Sequence, residues 1–134
     1  MEFETEELKA LAASGRERGY LTFDAVAEAV AELDINRGQV EELNSWLTEQ
    51  GIGEIVVSGI RTEQCCETTT RHASDLGWKV VFVPEATLTF DMALPDGTPF
   101  RAADIVARTA SVLQGRFARV MNVEETLAHV VRGD

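Results

Sequence analysis

The residues best suited to chemistry lie in the segment Gly59–Arg71, where two adjacent cysteines follow a short apolar run. The run Glu54–Ser58 predicts a strand that ends at Gly59. Thr62 is a typical N-cap residue, which places Cys65 at the third position of the next helix. Backbone N–H groups there lack intrahelical partners and the helix dipole is positive, so a thiolate is stabilised. The pattern predicts a Cys65 nucleophile, and the free N–H groups would hold the oxyanion of an attacked carbonyl.

The alternative for Cys65 is an inert, buried thiol, because most free cysteines pack in a core. Cys66 points in another direction and is predicted to pack. Adjacent cysteines rarely bridge, so no disulfide is expected and a reducing compartment is consistent. His72 and His129 lie far apart. No metal site is therefore predicted, and no cofactor is expected.

An alternation of strands and helices positions this segment. The predicted strands are 54–58, 79–83 and 118–121, and the predicted helices are 63–76, 102–113 and 123–131. This order predicts an α/β fold with a parallel sheet of about three strands. The first strand is the most continuously apolar, so we expect it to be central and to need a neighbour. Pro84 is predicted to end the second strand, and residues 85–100 to form a loop with a turn at 95–97.

Residues 1–52 are predicted to form a separate acidic helical domain, ahead of an α/β domain at 53–134. They hold 12 acidic and 4 basic side chains, against 11 and 8 in the remainder. The three helices expected here begin at a Thr5 cap, a Thr22 cap and an Asn36–Gln39 capping box. Ser14-Gly15 is predicted to end the first helix, and Gly51 the third. Apolar side chains should share one face of each helix: Leu8 and Leu11; Phe23, Val26 and Val30; Val40, Leu43, Trp46 and Leu47.

Composition excludes several classes of protein. The net charge of −11 argues against direct nucleic-acid binding, although the acidic segment could meet a basic protein surface. No apolar run approaches the roughly 20 residues that span a bilayer. The acidic N-terminus does not resemble a signal peptide. A cytoplasmic location is therefore expected.

The run GIRTEQCCETTTRHASDLG closely resembles the nucleophile segment of the isochorismatase-like cysteine hydrolases. In that family a glycine that ends a strand is followed six residues later by the catalytic cysteine, which is the spacing of Gly59 and Cys65. The likeness continues through Trp78–Val83, Glu85–Phe90 and Ala102–Ala118, and covers residues 54–130. It implies a partial Rossmann-like, three-layer α/β/α unit.

The resemblance also implies an activity, which is hydrolysis of an amide or of an isochorismate-type vinyl ether, often by an oligomer. Cys65 would be the nucleophile, and the backbone N–H groups of Arg61 and Cys65 would form the oxyanion hole. A cis peptide bond is expected between Ile60 and Arg61. The substrate stays unknown.

The family's other catalytic residues, an aspartate and a lysine, belong to a half-domain that residues 1–53 do not resemble. Asp24 and Lys9 lie in predicted helices and cannot take these roles, and Glu85 stands where many members have aspartate. The chain is therefore expected to be weakly active or inactive alone. An active form would need a homo-oligomer or a complementing half-domain that adds to the exposed sheet edge.

Residues 6–52 have a resemblance of their own, carried by Leu8–Leu11, Gly15–Asp24, Gln39–Leu43 and Leu47–Ile52. These segments resemble the N-terminal acidic region of primary bacterial sigma factors, which occupies the basic DNA channel of RNA polymerase. Three functional hypotheses follow from the sequence. The chain is a cysteine hydrolase, an acidic DNA-mimic module that binds RNA polymerase, or a non-functional fusion remnant.

Overall fold

The structure is a computed structural model that describes residues 5–31 and 37–132. The chain divides into two compact units, residues 1–53 with 129–134 and residues 54–128. The helices are α1 (Glu6–Arg18), α2 (Phe23–Val30), α3 (Arg37–Glu49), α4 (Glu67–Asp75), α5 (Ala102–Leu113) and α6 (Val123–Arg132). The strands are β1 (Glu54–Ile60), β2 (Lys79–Leu88), β3 (Met92–Ala93), β4 (Pro99–Phe100) and β5 (Arg119–Val120). No described helix is both long and apolar enough to cross a membrane.

Helix α1 begins as predicted but does not end as predicted. The Leu8 N–H donates to the Thr5 hydroxyl at 3.2 Å, which caps the helix. The predicted stop at Ser14-Gly15 is wrong, because the helix continues to Arg18 and ends at Gly19, whose φ is 87°. Gly15 has a packing role instead. A Cβ at that position would lie only 2.9 Å from Leu21 Cγ, so the absence of a side chain permits the close approach.

Helix α2 begins at its predicted cap, and the predicted stop at Gly51 lies just beyond the end of α3. The Ala25 N–H donates to Thr22 Oγ1 at 3.0 Å at the start of α2. Gly51, after α3, has a φ of 89°. Asn36, the first residue of the predicted capping box, lies outside the described residues. The side chains of Phe23 and Val40 lie outside the described part of the structure as well. Four buried leucines form one cluster: Leu8, Leu11, Leu43 and Leu47.

The α/β prediction for the second unit is confirmed, but the place of the first strand is not. Strands β1, β2 and β5 form a parallel sheet in the order β1-β2-β5, so β2 is central. Among the described strands, β1 therefore has a neighbour on one side only. Burial explains the difference, since Val80 to Val83 of β2 are all buried whereas Val56 and Ile60 of β1 are exposed.

Strand β2 runs five residues beyond its predicted end, through Pro84 to Leu88. The ladder with β1 accommodates the proline by a shift in register. Val57 pairs with Phe82, and Gly59 pairs with Thr87. Residues 83–86 therefore lie opposite Ser58 alone, and the N–H that Pro84 lacks is not required by the ladder.

One face of the sheet carries the main core of the unit. Helices α4 and α5 both contact β2 there. The buried cluster contains Val57, Cys66, Ala73, Val80, Phe82, Leu113 and Ala118, with Trp78 packed against it. The other face carries a smaller cluster of Val81, Val83 and Met121. Phe82 is therefore a core residue, and Trp78 packs against this core.

Part of the segment predicted as a loop is a short hairpin. Strands β3 and β4 pair antiparallel around the predicted turn at 95–97, where the Thr98 N–H donates to Asp96 Oδ1 at 2.9 Å. Asp91 then joins this segment to α5. It accepts hydrogen bonds from the Ala102 N–H at 2.8 Å and from Arg101 at 3.1 Å. These contacts, the backbone one first, lower the pKa of the Asp91 carboxyl.

Candidate active site

The candidate nucleophile lies in a tight turn between β1 and α4. Strand β1 ends at Ile60, and Thr62–Cys66 form one π-helical turn that continues directly into α4. The N–H groups of Gln64 and Cys66 both donate to the Arg61 carbonyl, at 3.1 Å and 3.2 Å. Single π-helical turns are uncommon in proteins, and those that are observed often lie at functional sites. Cys65 therefore stands in the first turn after a parallel strand, at the carboxyl end of the sheet where open α/β folds bind ligands.

The two cysteines have different environments. The side chain of Cys65 is exposed, whereas Cys66 is buried in the sheet core. Burial raises the pKa of the Cys66 thiol, and the neighbouring Cys65 and Glu63 act in the same direction. Cys66 packs, as its position predicted. Cys65 is the thiol that a substrate can reach.

The backbone of this turn has one unusual peptide bond and two N–H groups that could act as hydrogen-bond donors. The peptide bond between Ile60 and Arg61 is cis, the form that the family resemblance implied for this position. Outside the bonds internal to helices and strands, no described residue accepts a hydrogen bond from the N–H of Arg61 or of Cys65. Two such N–H groups in the same turn as an exposed thiol could both donate hydrogen bonds to the oxygen of an attacked carbonyl.

Thr62 does not cap the helix, which corrects the sequence prediction. Arg61 occupies the cap position, and its side chain makes no capping hydrogen bond. Thr62 is instead completely buried, and its hydroxyl donates to Thr87 Oγ1 at 2.8 Å. The Thr87 hydroxyl in turn donates to the Pro84 carbonyl at 2.8 Å. This chain of hydroxyls fastens the turn to the irregular part of β2.

Glu63 and Arg61 form a second connection, between the turn and the segment after β2. Thr89 Oγ1 donates to Glu63 Oε1 at 2.6 Å, and Arg61 Nε lies 3.9 Å from Glu63 Oε2. Burial acts to raise the pKa of Glu63. The Thr89 hydrogen bond, backbone hydrogen bonding and the Arg61 charge outweigh it, so the pKa of this carboxyl lies below its ordinary value.

A buried carboxylate that the sequence analysis missed lies one residue after Cys66. Glu67 accepts hydrogen bonds from Arg71 Nε at 3.1 Å, from Thr109 Oγ1 at 3.0 Å and from Arg108. The Glu67–Arg71 spacing of i,i+4 is a signal that could have identified half of this cluster. Arg71 Cζ also lies 4.5 Å from the centroid of the Phe117 ring, so this arginine contacts both a carboxylate and an aromatic ring.

The other acidic and basic residues considered in the sequence analysis belong to other elements of the chain. Lys9 lies in α1 and Asp24 in α2, both in the other unit. Glu85 Oε1 accepts a hydrogen bond from the Val123 N–H at 2.6 Å, at the start of α6. Among residues 5–31 and 37–132, no group of three or more His, Cys, Asp or Glu side chains could hold a metal ion.

Similarity to known proteins agrees with the architecture of this site. The Isochorismatase domain family matches residues 38–125. The match begins inside α3, so that helix, expected to be sigma-like, falls within the hydrolase similarity. Nicotinamidase 3 of Arabidopsis thaliana is 42% identical over 52 residues, which are 39% of this chain and 26% of that protein. An uncharacterised isochorismatase family protein of Bacillus subtilis is 27% identical over 90 residues, which are 67% of this chain and 48% of that protein.

A solved structure shows the same relationship in three dimensions. An isochorismatase-family protein from Chromobacterium violaceum superposes with a TM-score of 0.60 at 31% identity, covering 66% of this chain and 46% of that one. The chain thus spans about half the length of these relatives, or less. These similarities lend no support to the sigma-factor resemblance of residues 6–52. The fold, the turn that carries Cys65 and the family match together show that the chain belongs to the isochorismatase family.

Proposed function

We propose that this chain carries the nucleophile of an isochorismatase-type cysteine hydrolase, with Cys65 attacking the carbonyl carbon of an amide. The observation that carries the proposal is the contrast between the two cysteines, since Cys65 is exposed in the turn and Cys66 is buried in the core. An amide substrate is favoured because the matched segment of the Arabidopsis relative belongs to a nicotinamidase.

The proposed reaction has two stages. The Cys65 sulfur forms a bond to the carbonyl carbon, and the carbonyl oxygen gains negative charge that the N–H groups of Arg61 and Cys65 stabilise. The tetrahedral species collapses, the carbon–nitrogen bond breaks, and the amine leaves with a proton. Water then adds to the thioester carbon and the carbon–sulfur bond breaks, which releases a carboxylate; one proton of the water restores the Cys65 thiol and the other passes to a base or to solvent.

An acid–base pair is required for the proton transfers, and we propose that another chain supplies it. Among the described residues, no hydrogen bond joins Cys65 to a carboxylate, a lysine or a histidine. The aspartate and lysine implied by the family resemblance would come from a complementing half-domain that pairs with the side of β1 on which no described strand lies. Val56 and Ile60 are exposed along this strand, which suits the addition of a further strand.

Alkylation of the thiols by iodoacetamide between pH 5 and pH 9 tests the nucleophile. Two matched variants separate the cysteines: Cys66→Ala leaves only the exposed thiol, and Cys65→Ala leaves only the buried one. We expect Cys66→Ala to incorporate one label rapidly at pH 7 and Cys65→Ala to react slowly. The proposed nucleophile is refuted if Cys65 reacts at pH 7 no faster than a small free thiol.

Release of ammonia from nicotinamide and from simple amides tests the proposal that another chain supplies the acid–base pair. The chain alone should show little turnover, because Cys65 lacks the acid–base pair that would carry its proton. Efficient turnover by the purified chain, abolished by Cys65→Ala, would contradict the need for a second chain and would leave the nucleophile assignment intact.

A further inference from the structure

The hydroxyl of Thr87 links the turn that carries Cys65 to the irregular part of β2. Thr62 donates to Thr87 Oγ1 at 2.8 Å, and Thr87 donates to the Pro84 carbonyl at 2.8 Å. A carbonyl can only accept, so the single hydrogen of the Thr87 hydroxyl goes to Pro84, and the Thr62 hydroxyl must be the donor of the pair. The direction of both hydrogen bonds is therefore fixed.

The register shift between β1 and β2 is what brings Thr87 to this place. From Val57 to Gly59 the first strand advances by two residues, while its partner advances by five, from Phe82 to Thr87. An unbroken ladder would set Gly59 opposite Pro84, which has no hydroxyl. Such irregularities re-aim side chains and are over-represented beside active sites. Here the shift places a hydroxyl-bearing side chain where the strand leads into the turn.

The two hydroxyls lie in the interior of the unit, where Thr62 is completely buried and Thr87 is buried as well. Burying a hydroxyl costs free energy unless it is hydrogen-bonded, and an apolar pair of the same shape would fill the space about as well. What the hydrogen bond adds to packing is direction, because it weakens steeply when donor and acceptor are misaligned. The pair therefore fixes the orientation of Thr62 relative to β2.

Inside the turn, Thr62 adjoins the backbone group that holds both neighbours of Cys65. The N–H groups of Gln64 and Cys66 both donate to the Arg61 carbonyl, at 3.1 Å and 3.2 Å. These two residues flank the candidate nucleophile. The Arg61 carbonyl belongs to the peptide group that joins Arg61 to Thr62, so a fixed Thr62 also fixes the acceptor on which the turn is built.

We propose that Thr87 is a positioning residue for the proposed amide hydrolysis. Through Thr62 it holds the turn in the orientation in which the N–H groups of Arg61 and Cys65 both meet the oxygen of the attacked carbonyl. Thr87 acts through the turn and not by contact with the reacting atoms. The inference rests on the proposed function, because it concerns the donors that the proposed reaction uses.

An aldehyde tests the orientation of these donors without requiring turnover. Pyridine-3-carboxaldehyde is the aldehyde that corresponds to nicotinamide. The Cys65 sulfur adds to its carbonyl carbon and the oxygen takes the thiol proton, so a hemithioacetal forms reversibly and nothing leaves. The measured quantity is the aldehyde concentration that halves the rate of iodoacetamide labelling of Cys65 in the Cys66→Ala background. This concentration does not depend on how fast the free thiol is alkylated.

Four variants separate the hydroxyl of Thr87 from its shape and from burial in general. Thr87→Val removes the hydroxyl, and Thr62→Val removes the same hydrogen bond from its other side, so either one serves if the other does not fold. Thr87→Ser keeps the hydroxyl. Thr126→Val is the matched control, because Thr126 is also buried and its hydroxyl donates to the Asn122 carbonyl at 2.8 Å, at the start of α6.

We expect either valine variant of the Thr62–Thr87 pair to raise the half-protecting aldehyde concentration about three- to tenfold, the loss in affinity that follows from one neutral hydrogen bond to the aldehyde oxygen. Thr87→Ser and Thr126→Val should keep the parent value, since a merely structural hydroxyl changes the stability of the folded state and not the affinity of the folded protein. Because the two threonines act through one bond, combining Thr62→Val with Thr87→Val should cause no further rise.

Three results would contradict the role of Thr87. It is overturned, with the oxyanion site left in place, if both valine variants keep the parent value while the parent is protected at a lower concentration than a small free thiol. It is equally overturned if Thr126→Val weakens protection as much as Thr87→Val, or if Thr87→Ser does so. A parent that is protected no better than a small free thiol overturns the proposed function, and this inference with it.

Discussion

The carboxylate of Glu67 joins helix α4 to helix α5, and its replacement tests how the turn that carries Cys65 is anchored. The side chain is only 10% exposed. It accepts hydrogen bonds from Arg71 on its own helix and from Arg108 and Thr109 on α5. Because Glu67 directly follows the π-helical turn, its removal should loosen both the packing of the helices and the end of the turn.

The loss in the free energy of unfolding can be worked out from how exposed the three hydrogen-bond partners of Glu67 are. Arg71 and Arg108 are 38% and 49% exposed. Solvent therefore screens both ion pairs, and each contributes about 0.5–1 kcal/mol. Thr109 is completely buried, and a buried hydroxyl left without its acceptor costs about 1–3 kcal/mol. Glu67→Ala should thus lower the free energy of unfolding by about 2–5 kcal/mol. Glu67→Gln keeps an acceptor for Thr109 and should lower it by only about 1–2 kcal/mol.

Urea denaturation followed by tryptophan fluorescence measures these differences. The chain has two tryptophans, so all variants should carry Trp46→Phe, which leaves Trp78 against the sheet core as the only probe. The denaturation midpoint should fall at constant slope if the folded state is otherwise unchanged. Glu124→Gln, which replaces an exposed carboxylate on α6, is the matched control and should stay within about 0.5 kcal/mol of the parent.

Two results would refute this reasoning. If both Glu67 variants unfold within about 0.5 kcal/mol of the parent, the cluster does not anchor α4 to α5. If Glu67→Gln is as destabilised as Glu67→Ala, the acceptor for Thr109 is not the larger contribution, and the ion pairs with Arg71 and Arg108 have been undervalued.

Two further predictions concern the same turn. The pKa of Glu63 is below its ordinary value of 4.5, so the folded state binds fewer protons than the unfolded state near that pH. Its stabilising contribution is present above about pH 4.5 and is lost as the pH falls through the folded-state pKa. Glu63→Gln should flatten this part of the stability curve in urea titrations, and an unchanged pH slope in the variant would contradict the assignment. Gly59 has a φ of 122°, and a Cβ there would lie 3.9 Å from Cys66 Sγ, an ordinary contact. Gly59→Ala should therefore lower the free energy of unfolding by about 1–3 kcal/mol, through backbone strain alone. A denaturation midpoint equal to that of the parent would disprove this prediction.

Local signals predicted the starts and ends of several elements correctly. The hydroxyls of Thr5 and Thr22 accept the N–H of the third residue along the chain, which is a contact that needs no distant partner. Helix α5 has its predicted bounds, 102–113. Its apolar spacing, and Gly115 shortly beyond it, are likewise properties of neighbouring residues. The exposed Cys65 and buried Cys66 also follow from one short segment.

Distant contacts account for the wrong predictions. Thr62 looked like a helix cap, but Thr87 offers its hydroxyl a buried partner 25 residues away. Gly15 looked like a helix end, but a Cβ at this position would collide with the side chains of Leu21 and Ile52, so the glycine serves close packing instead. Pro84 looked like a strand end, but a register shift opposite Ser58 lets the strand continue. In each case the residue type is suited to two roles, and only its spatial neighbours select one.

By itself, the sequence determined which atoms could react and which elements carry them, because caps, turns and apolar periodicity act over a few residues. Only the tertiary structure decided that β2 is the central strand of the described sheet, that Arg108 reaches Glu67, and that the Thr62 hydroxyl donates to Thr87. These features depend on how much each group is buried and on which group it meets. Both are settled when strands and helices far apart in the chain compete for the same core and the same hydrogen-bond partners.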